Sequence, residues 1–415
     1  MTSWDLIIVG GGPSGSALAC MLKQKGMNVL LCERVEFPRH QIGESLLPGS
    51  LEILEEIGVL PKIYESGFLV KPGASFYSER SKRLNHFPFS EAMKKEYPTA
   101  FQVLREKFDH LLLNHARSMG VEVLQPYSVD QVSISPDHVT INGGEHQAKM
   151  IVWANGIGNI QHMPDNYVKN STEDQITAIY SYFEADFSQQ EHYGNIIVNL
   201  FYEDQKDAPQ WAWAIPLEKD FASVGFVINS QQLKEKIHAQ KTVDAVGLDL
   251  LDQNPYLHNF IKRDRATSPF RLRHNFQRVA KQLVWDRQLL IGDAAGFIDP
   301  VFSSGVHIGL NSAKYASEVI DQAMRTNDFS SACFKPFELK YRKLFRSYYQ
   351  IAKSFYQRNV VESLFLSGKA VDQNLIEKQQ QFTTLLAGDC ESENPLLEMF
   401  NSARLNINPE VSLFL

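Results

Sequence analysis

The stretch Trp4-Asp-Leu-Ile-Ile-Val9-Gly10-Gly11-Gly12-Pro13-Ser14-Gly15 decides the fold. Its first six residues form an apolar run rich in β-branched side chains, and Ser16-Ala-Leu-Ala-Cys-Met-Leu-Lys-Gln-Lys25 beyond it has the spacing of a helix. Gly10 permits a tight turn, Gly12 lets the backbone approach a pyrophosphate, and Gly15 lets helix and strand pack closely. The phosphates then sit on the amides and positive dipole end of that helix. A second strand, Asn28-Val-Leu-Leu-Cys32, ends at Glu33, 18 positions after Gly15, the expected place for an acid that accepts from a ribose hydroxyl. Strand, glycines, helix, strand and acid in this order predict a Rossmann-type unit that binds a dinucleotide.

Further along, Arg287-Gln-Leu-Leu-Ile-Gly-Asp-Ala-Ala-Gly296 reads as a strand ending in Gly292-Asp293, followed by small residues. It resembles the G-D motif of the p-hydroxybenzoate-hydroxylase-like flavoproteins, which implies that Asp293 holds the ribityl chain of FAD. Val103-Leu-Arg105-Glu-Lys-Phe-Asp109-His-Leu-Leu112 is similar to that family's V-x-R-x-x-F-D-x-x-L helix. The resemblance implies that Arg105 faces the cofactor phosphates, a task suited to a fixed bidentate cation.

Composition narrows the remaining classes. With 415 residues the chain exceeds one compact core, so two or three cooperating units are expected. A net charge of -7 provides no basic field for nucleic acid. The four cysteines, Cys20, Cys32, Cys333 and Cys390, show no metal-binding spacing and read as reduced residues of a cytoplasmic protein, with no metal expected. No signal peptide is seen, and no apolar stretch reaches the ~18 residues that span a bilayer, so no membrane partner is expected.

The order of elements predicts an α/β (α+β) chain with a discontinuous FAD-binding domain over residues 1–70, 100–160 and 272–330. Sheet is expected at 71–99 and 161–271, with strands at Gly73–Ser78, Ile176–Phe183, Ile196–Tyr202 and Ala222–Ile228, and the hydroxylase-like resemblance implies that this inserted sheet binds the substrate. Residues 331–415 form a C-terminal helical region. There Phe334, Phe337, Tyr341, Phe345, Tyr348, Ala352 and Phe355 recur at steps of three and four, an aromatic stripe on one helix face. The stripe either docks the helix on the core or in part roofs a pocket for a flat substrate.

Four more stretches point to one use of the flavin. Trp211-Ala-Trp213-Ala-Ile215-Pro216 resembles the W-x-W-x-I-P signature of flavin-dependent halogenases, and Phe37-Pro38-Arg39-His40-Gln41-Ile42-Gly43-Glu44-Ser45-Leu46 is similar to their F-P-R-x-x-I-G-E-S-L strap. Lys71-Pro72-Gly73-Ala74 looks like the K-x-G-A of phenol- and pyrrole-type members, and Asp299-Pro300-Val301-Phe302-Ser303-Ser304-Gly305-Val306 like the D-P-x-F-S-S-G-V loop. The resemblance identifies Lys71 with the catalytic lysine and Ser304 and Gly305 with the halide site, where small residues with free amides make a natural anion nest. It assigns Gly10, Gly12, Gly15, Glu33, Arg34, Arg39, Gly43, Glu44, Ser45, Arg105, Gly292, Asp293 and Pro300 to the cofactor. Trp211, Trp213, Phe302 and Phe345 are expected at the substrate pocket. Trp211 and Trp213 alternate as on a strand, which suits a pocket wall or core equally. Lys71 precedes Pro72, and a loop lysine is ordinarily solvated, so its register before Gly73-Ala74 carries its assignment. His307 reads as a packed histidine rather than a base.

The implied reaction uses reduced FAD, O2 and chloride or bromide to make hypohalous acid, which Lys71 hydrogen-bonds or carries as a haloamine toward an electron-rich ring carbon. Glu44 is given a supporting role only. Two departures matter. Phe302 stands where relatives of tryptophan halogenases carry Glu, which disfavours tryptophan, and Trp153-Ala-Asn155-Gly156 replaces the usual D-A-S-G, which puts flavin contacts from that turn in doubt. The chain's compact length favours a pyrrolyl group on an acyl or peptidyl carrier protein over a free phenol. A single dinucleotide fingerprint and no ferredoxin-like cysteine set imply a separate flavin reductase. A flavin monooxygenase without halide chemistry is the competing reading, and a non-catalytic flavin scaffold a third.

Overall fold

The computed structural model describes residues 3–94, 96–158, 167–169, 176–202, 210–274, 278–358, 360–366, 373–402, 409–412 and 414. Of the stretches assigned above, 159–166, 170–175, 203–209, 275–277, 367–372 and 403–408 lie outside the described residues. The elements that position the site run β1 (Ser3–Val9), α1 (Pro13–Gln24), β2 (Val29–Cys32), β3 (Leu69–Lys71), β4 (Gly73–Ser78), β5 (Arg83–Pro88), β6 (Ala100–Gln102), α2 (Arg105–Ser118), β7 (Glu122–Leu124), β8 (His146–Trp153), β9 (Ile176–Ala185), β10 (Ile196–Phe201), β11 (Gln210–Glu218), β12 (Phe221–Asn229), β13 (Ile261–Ala266), β14 (Gln288–Leu290), α3 (Gly305–Thr326), α4 (Ser331–Arg358) and α5 (Gln373–Leu386).

The first sheet has the parallel order β14-β8-β1-β2-β7. Its central strands are apolar on both faces, as a sheet covered by helices requires: Leu6, Ile7, Ile8, Leu30, Leu31, Ile151 and Val152 are all buried. Val9 is in register with both Trp153 and Cys32, so the loops leaving β1, β2 and β8 open side by side at the carboxyl edge. That edge is where doubly wound sheets bind ligands.

The second sheet has the order β13-β9-β12-β11-β10-β4-β5, antiparallel except where β10 runs parallel to β4. The strand Arg271–His274 also pairs with β9, which carries the sheet to His274. The W-x-W-x-I-P run is the body of β11, and its one-residue alternation sends Trp211, Trp213 and Ile215 to one face. Helix α4 packs against α3 with its aromatic stripe buried from Phe334 to Phe355. The stripe therefore docks the helix on the core. Among the described residues no helix is long and apolar enough to cross a membrane.

Candidate active site

A cavity of about 790 Å³ opens at the carboxyl edge of the first sheet. The glycines build its floor. Gly10 has φ +111°, and a Cβ there would lie 2.3 Å from the Ala154 carbonyl oxygen; one on Gly15 would lie 2.0 Å from the Gly10 carbonyl oxygen. A Cβ on Gly12 would meet only Arg39, at 3.5 Å, which leaves the start of α1 open to an anion with a guanidinium facing it. Glu33 stands where expected, but its carboxylate already accepts from the amides of Gly11 at 2.8 Å and Val35 at 3.0 Å. It fixes the glycine loop, with lone pairs left for a ribose. Arg34 is exposed at the rim.

Arg105 lines the cavity, yet its guanidinium is bidentate on Asp109 at 2.7 and 3.0 Å and donates to the carbonyls of Ile42 and Gly43. Arg39 approaches the same carboxylate at 3.3 Å. The fork assigned to phosphate thus holds the 42–45 strap, and Arg39 is the cation over Gly12. Gly292, at φ +59°, packs on Ser14 and turns the chain so that Asp293 enters the cavity. Burial pushes the Asp293 carboxyl up to about 6 in spite of Arg105 and Arg278 nearby. Residues 153–158 line the cavity as well, so the departure from D-A-S-G leaves that turn in place. Two buried polar atoms there, Ser45 Oγ and Asn155 Oδ1, have no hydrogen-bond partner among the described residues. An open glycine cradle, a facing arginine, a buried acid and unsatisfied polar atoms in a cavity of this size fit a flavin dinucleotide.

Lys71 lies outside this cavity and behind the strap. β3 pairs with β6, and β6 bridges to Ser45 of the strap. The amine reaches past β6 to donate to the Leu46 carbonyl at 2.8 Å. It is only 1% exposed, and its ammonium would face the Phe89 ring at 5.0 Å. Burial alone depresses its pKa from 10.5 to about 7. A second, small cavity of about 10 Å³ joins Lys71 to Phe76, Phe302, Ser303 and Leu386. Ile196 and Ser303 line both cavities and form the partition between them.

The 299–305 loop forms the other side of that partition. Ser303 is left-handed at φ +56° and Ser304, the N-cap of α3, is right-handed; consecutive residues of opposite hand aim their amides at one point. Gly305 lines the larger cavity and opens the first turn of α3, where amides have no intrahelical carbonyl. Pro300 lines the same cavity, while Ser304 is buried behind it. Glu44 is fully buried, accepts from the Tyr182 hydroxyl at 2.7 Å, and is pushed up to about 7 by burial. His307 is buried beside Ser50 and Asn311 and held near 4 by burial, a packed neutral imidazole as read.

Three features were not visible in the sequence. Trp211 Nε1 donates to the Tyr356 hydroxyl, which donates to Asp299. Arg278 donates to the carbonyls of Gly156, Ile157 and Asp293 and ties two cavity loops together. Phe345, expected at the substrate, lines neither cavity: it stacks on Tyr341, and a Cβ on Gly296 would lie 2.7 Å from its ring. It is a docking residue of α4. Phe302 does reach the small cavity, edge-on to Phe355 and Phe382. Trp211 and Trp213 wall the larger cavity instead.

A family model described as an FAD binding domain matches residues 3–326. A 1H-pyrrole-2-carbonyl-[peptidyl-carrier protein] chlorinase of Pseudomonas fluorescens is 31% identical over 387 residues, covering 88% of this chain and 86% of its own. The chain belongs to the flavin-dependent halogenases. Among solved structures, this halogenase is similar to CmlS, a flavin-dependent halogenase, at 30% identity and TM-score 0.77, covering 92% of this chain and 68% of that one. It is similar as well to the myxobacterial chondrochloren halogenase CndH, at 29% identity and TM-score 0.79, covering all of this chain and 96% of that one. The halogenase binds FAD and uses it, with O2 and halide, to halogenate an aromatic substrate.

Proposed function

We propose that this halogenase modifies a pyrrolyl group held as a thioester on a carrier protein, with Lys71 as the catalytic residue and Ser304 and Gly305 at the halide. The observation that supports the reading is a buried lysine in an apolar cavity, separated from the larger cavity by Ile196 and Ser303 of the 299–305 loop. The relative of known carrier-bound substrate supports the substrate class. Bound and reduced FAD supplies, with O2 and halide, hypohalous acid; a separate flavin reductase supplies the reduced form in the cytoplasm.

The protein's own residues then govern where the oxidant goes. Amides of the 303–305 turn attract halide at the partition. Ser303 and Ile196 restrict passage to something small, since the lysine cavity holds about 10 Å³, near the size of one water. Near neutral pH about half of the Lys71 amine is unprotonated. Its lone pair either accepts a hydrogen bond from hypohalous acid or takes the halogen, the N–H proton leaving with hydroxide, to give a haloamine and water. Leu46, through its carbonyl, fixes the direction of the nitrogen. A ring enters when the wall of Phe302 and Leu386 gives way. Residues 1–70, 100–160 and 272–330 act as the flavin unit, 71–99 and 161–271 as the substrate sheet, and 331–415 as the helical cover.

The test is product mass from enzyme, FAD, a flavin reductase and bromide, offered a panel of phenols and carrier-bound pyrroles. Brominated carrier-bound pyrrole is expected. Bromination of phenols alone would reassign the substrate, and a hydroxylated product would return the chain to monooxygenase chemistry.

A further inference from the structure

The edge strand β5 carries His86, and the turn before β10 carries Glu191 and His192. One donor atom from each lies within 4.8 Å of the others, and the two imidazole rings are 4.0 Å apart at their centroids. His86 Nε2 stands 3.7 Å from a Glu191 carboxylate oxygen. That nitrogen is buried and has no hydrogen-bond partner among the described residues. Its other nitrogen, Nδ1, is 2.8 Å from Ser75 Oγ, which is itself fixed by a hydrogen bond from Asn195 Nδ2 at 2.9 Å.

This is the environment of a ligating histidine. Ser75 Oγ can accept a hydrogen bond from Nδ1–H, which leaves the Nε2 lone pair directed at Glu191 and His192. We propose that His86, Glu191 and His192 bind one divalent transition-metal cation of the Zn²⁺ class, with water as a fourth ligand. Two imidazoles and one carboxylate suit zinc rather than magnesium or calcium. A tetrahedron with bonds of about 2.1 Å has edges of about 3.4 Å. His86 Nε2 and the Glu191 carboxylate, at 3.7 Å, are already close to that edge, and the Glu191 side chain is 77% exposed.

The ion's task would be structural. Gly194, two residues on, packs so that a Cβ would lie 2.2 Å from the Val70 carbonyl oxygen, next to Lys71; Asn195 holds Ser75 of β4; Ile196 is part of the partition between the cavities. A cation joining this turn to β5 would therefore fix the strand that carries the lysine. Sequence gave no signal, since an adjacent Glu-His pair and a histidine about a hundred residues away have no ligand spacing.

The experiment uses the full chain without an affinity tag, stripped with EDTA and titrated calorimetrically with Zn²⁺, beside Glu191→Gln, His192→Ala and, as a control imidazole elsewhere, His258→Ala. One site per chain is expected, with a raised thermal midpoint on binding. Glu191→Gln and His192→Ala should weaken binding at least tenfold and keep their FAD content, while His258→Ala should bind as the parent does. Absence of saturable binding at micromolar Zn²⁺, or equal binding in all variants, would overturn the proposal.

Discussion

Trp211 Nε1 donates to the Tyr356 hydroxyl at 2.8 Å, and that hydroxyl donates to Asp299 Oδ2 at 2.7 Å. The other Asp299 oxygen accepts from the Val301 amide at 2.9 Å. One chain of hydrogen bonds thus joins the first tryptophan of the W-x-W-x-I-P run, the C-terminal helix and the loop that leads to Ser303 and Ser304. Tyr356→Phe keeps the ring and removes the link, leaving two buried polar groups short of a partner at about 1–3 kcal/mol each. We expect the KM for bromide to rise about tenfold, with FAD content unchanged. Initial rates against bromide concentration check this. A fall in kcat at constant KM would place Tyr356 outside the control of the loop.

On the proposed role of Lys71, in which the amine acts after hypohalous acid is made, Lys71→Ala should abolish halogenation while FAD content stays intact. Retained halogenation would remove Lys71 from the mechanism. In the parent enzyme, halogen transfer should rise with pH through about 7, as the amine loses its proton.

The same depressed pKa has a consequence for stability. Between about 7 and 10.5 the unfolded chain binds a proton that the folded chain does not, so this group makes stability rise with pH across that window. Lys71→Met lacks the group. It should be more stable than the parent at pH 7, with the gap closing toward pH 10; denaturant midpoints at the two pH values measure it. A gap independent of pH would mean that the amine is solvated.

How far the sequence could be read depends on what each residue touches. Gly10 and Gly15 are legible because their neighbours are backbone of the same local unit, where spacing is geometry. Strands β4, β9, β10 and β12 of the second sheet are legible from alternation and β11 falls on the W-x-W-x-I-P run, whereas β5 and β13 are not expected from the sequence. Tyr356 is not legible: its partners lie 145 and 57 positions away, and no local pattern reports a hydroxyl that crosses from helix to sheet. Arg105 shows a milder failure. Its motif gives the right cavity, but the i,i+4 pair with Asp109, visible in the same motif, takes the fork that was assigned to phosphate. Phe345 shows the limit of periodicity, since a helical stripe defines a face and says nothing of which neighbour each rung meets.

Phe302 and Phe345 should accordingly behave differently. Phe302→Leu enlarges the lysine cavity, whose wall it shares with Phe76 and Leu386, and should change how many halogens are added. Phe345→Leu leaves a void against Gly296 and Tyr341 and should cost on the order of 1 kcal/mol of stability with the product pattern unchanged. Product mass and a thermal midpoint for each variant separate the two.

The lining of the lysine cavity also bears on the tethered substrate. Leu47, Ala74, Phe76, Phe89, Val198, Val301, Phe302 and Leu386 are apolar, and Lys71 is the one charged residue among the described residues that line it. A free pyrrole carboxylate entering there would find the Lys71 amine as its only ionic partner. It would stabilise the ammonium form and occupy the group proposed to handle the halogen. A thioester carries no such charge, and docking of its carrier supplies binding energy that a small ring cannot. We therefore expect the free acid to be an inhibitor, competitive with the carrier-bound form and weakening as pH rises above about 7, and to undergo no turnover under saturating reduced flavin. Turnover of the free acid and of the carrier-bound thioester, measured side by side with halogens counted by mass, decides the matter. Equal turnover of both would defeat the tethering idea and return the choice to a free phenol.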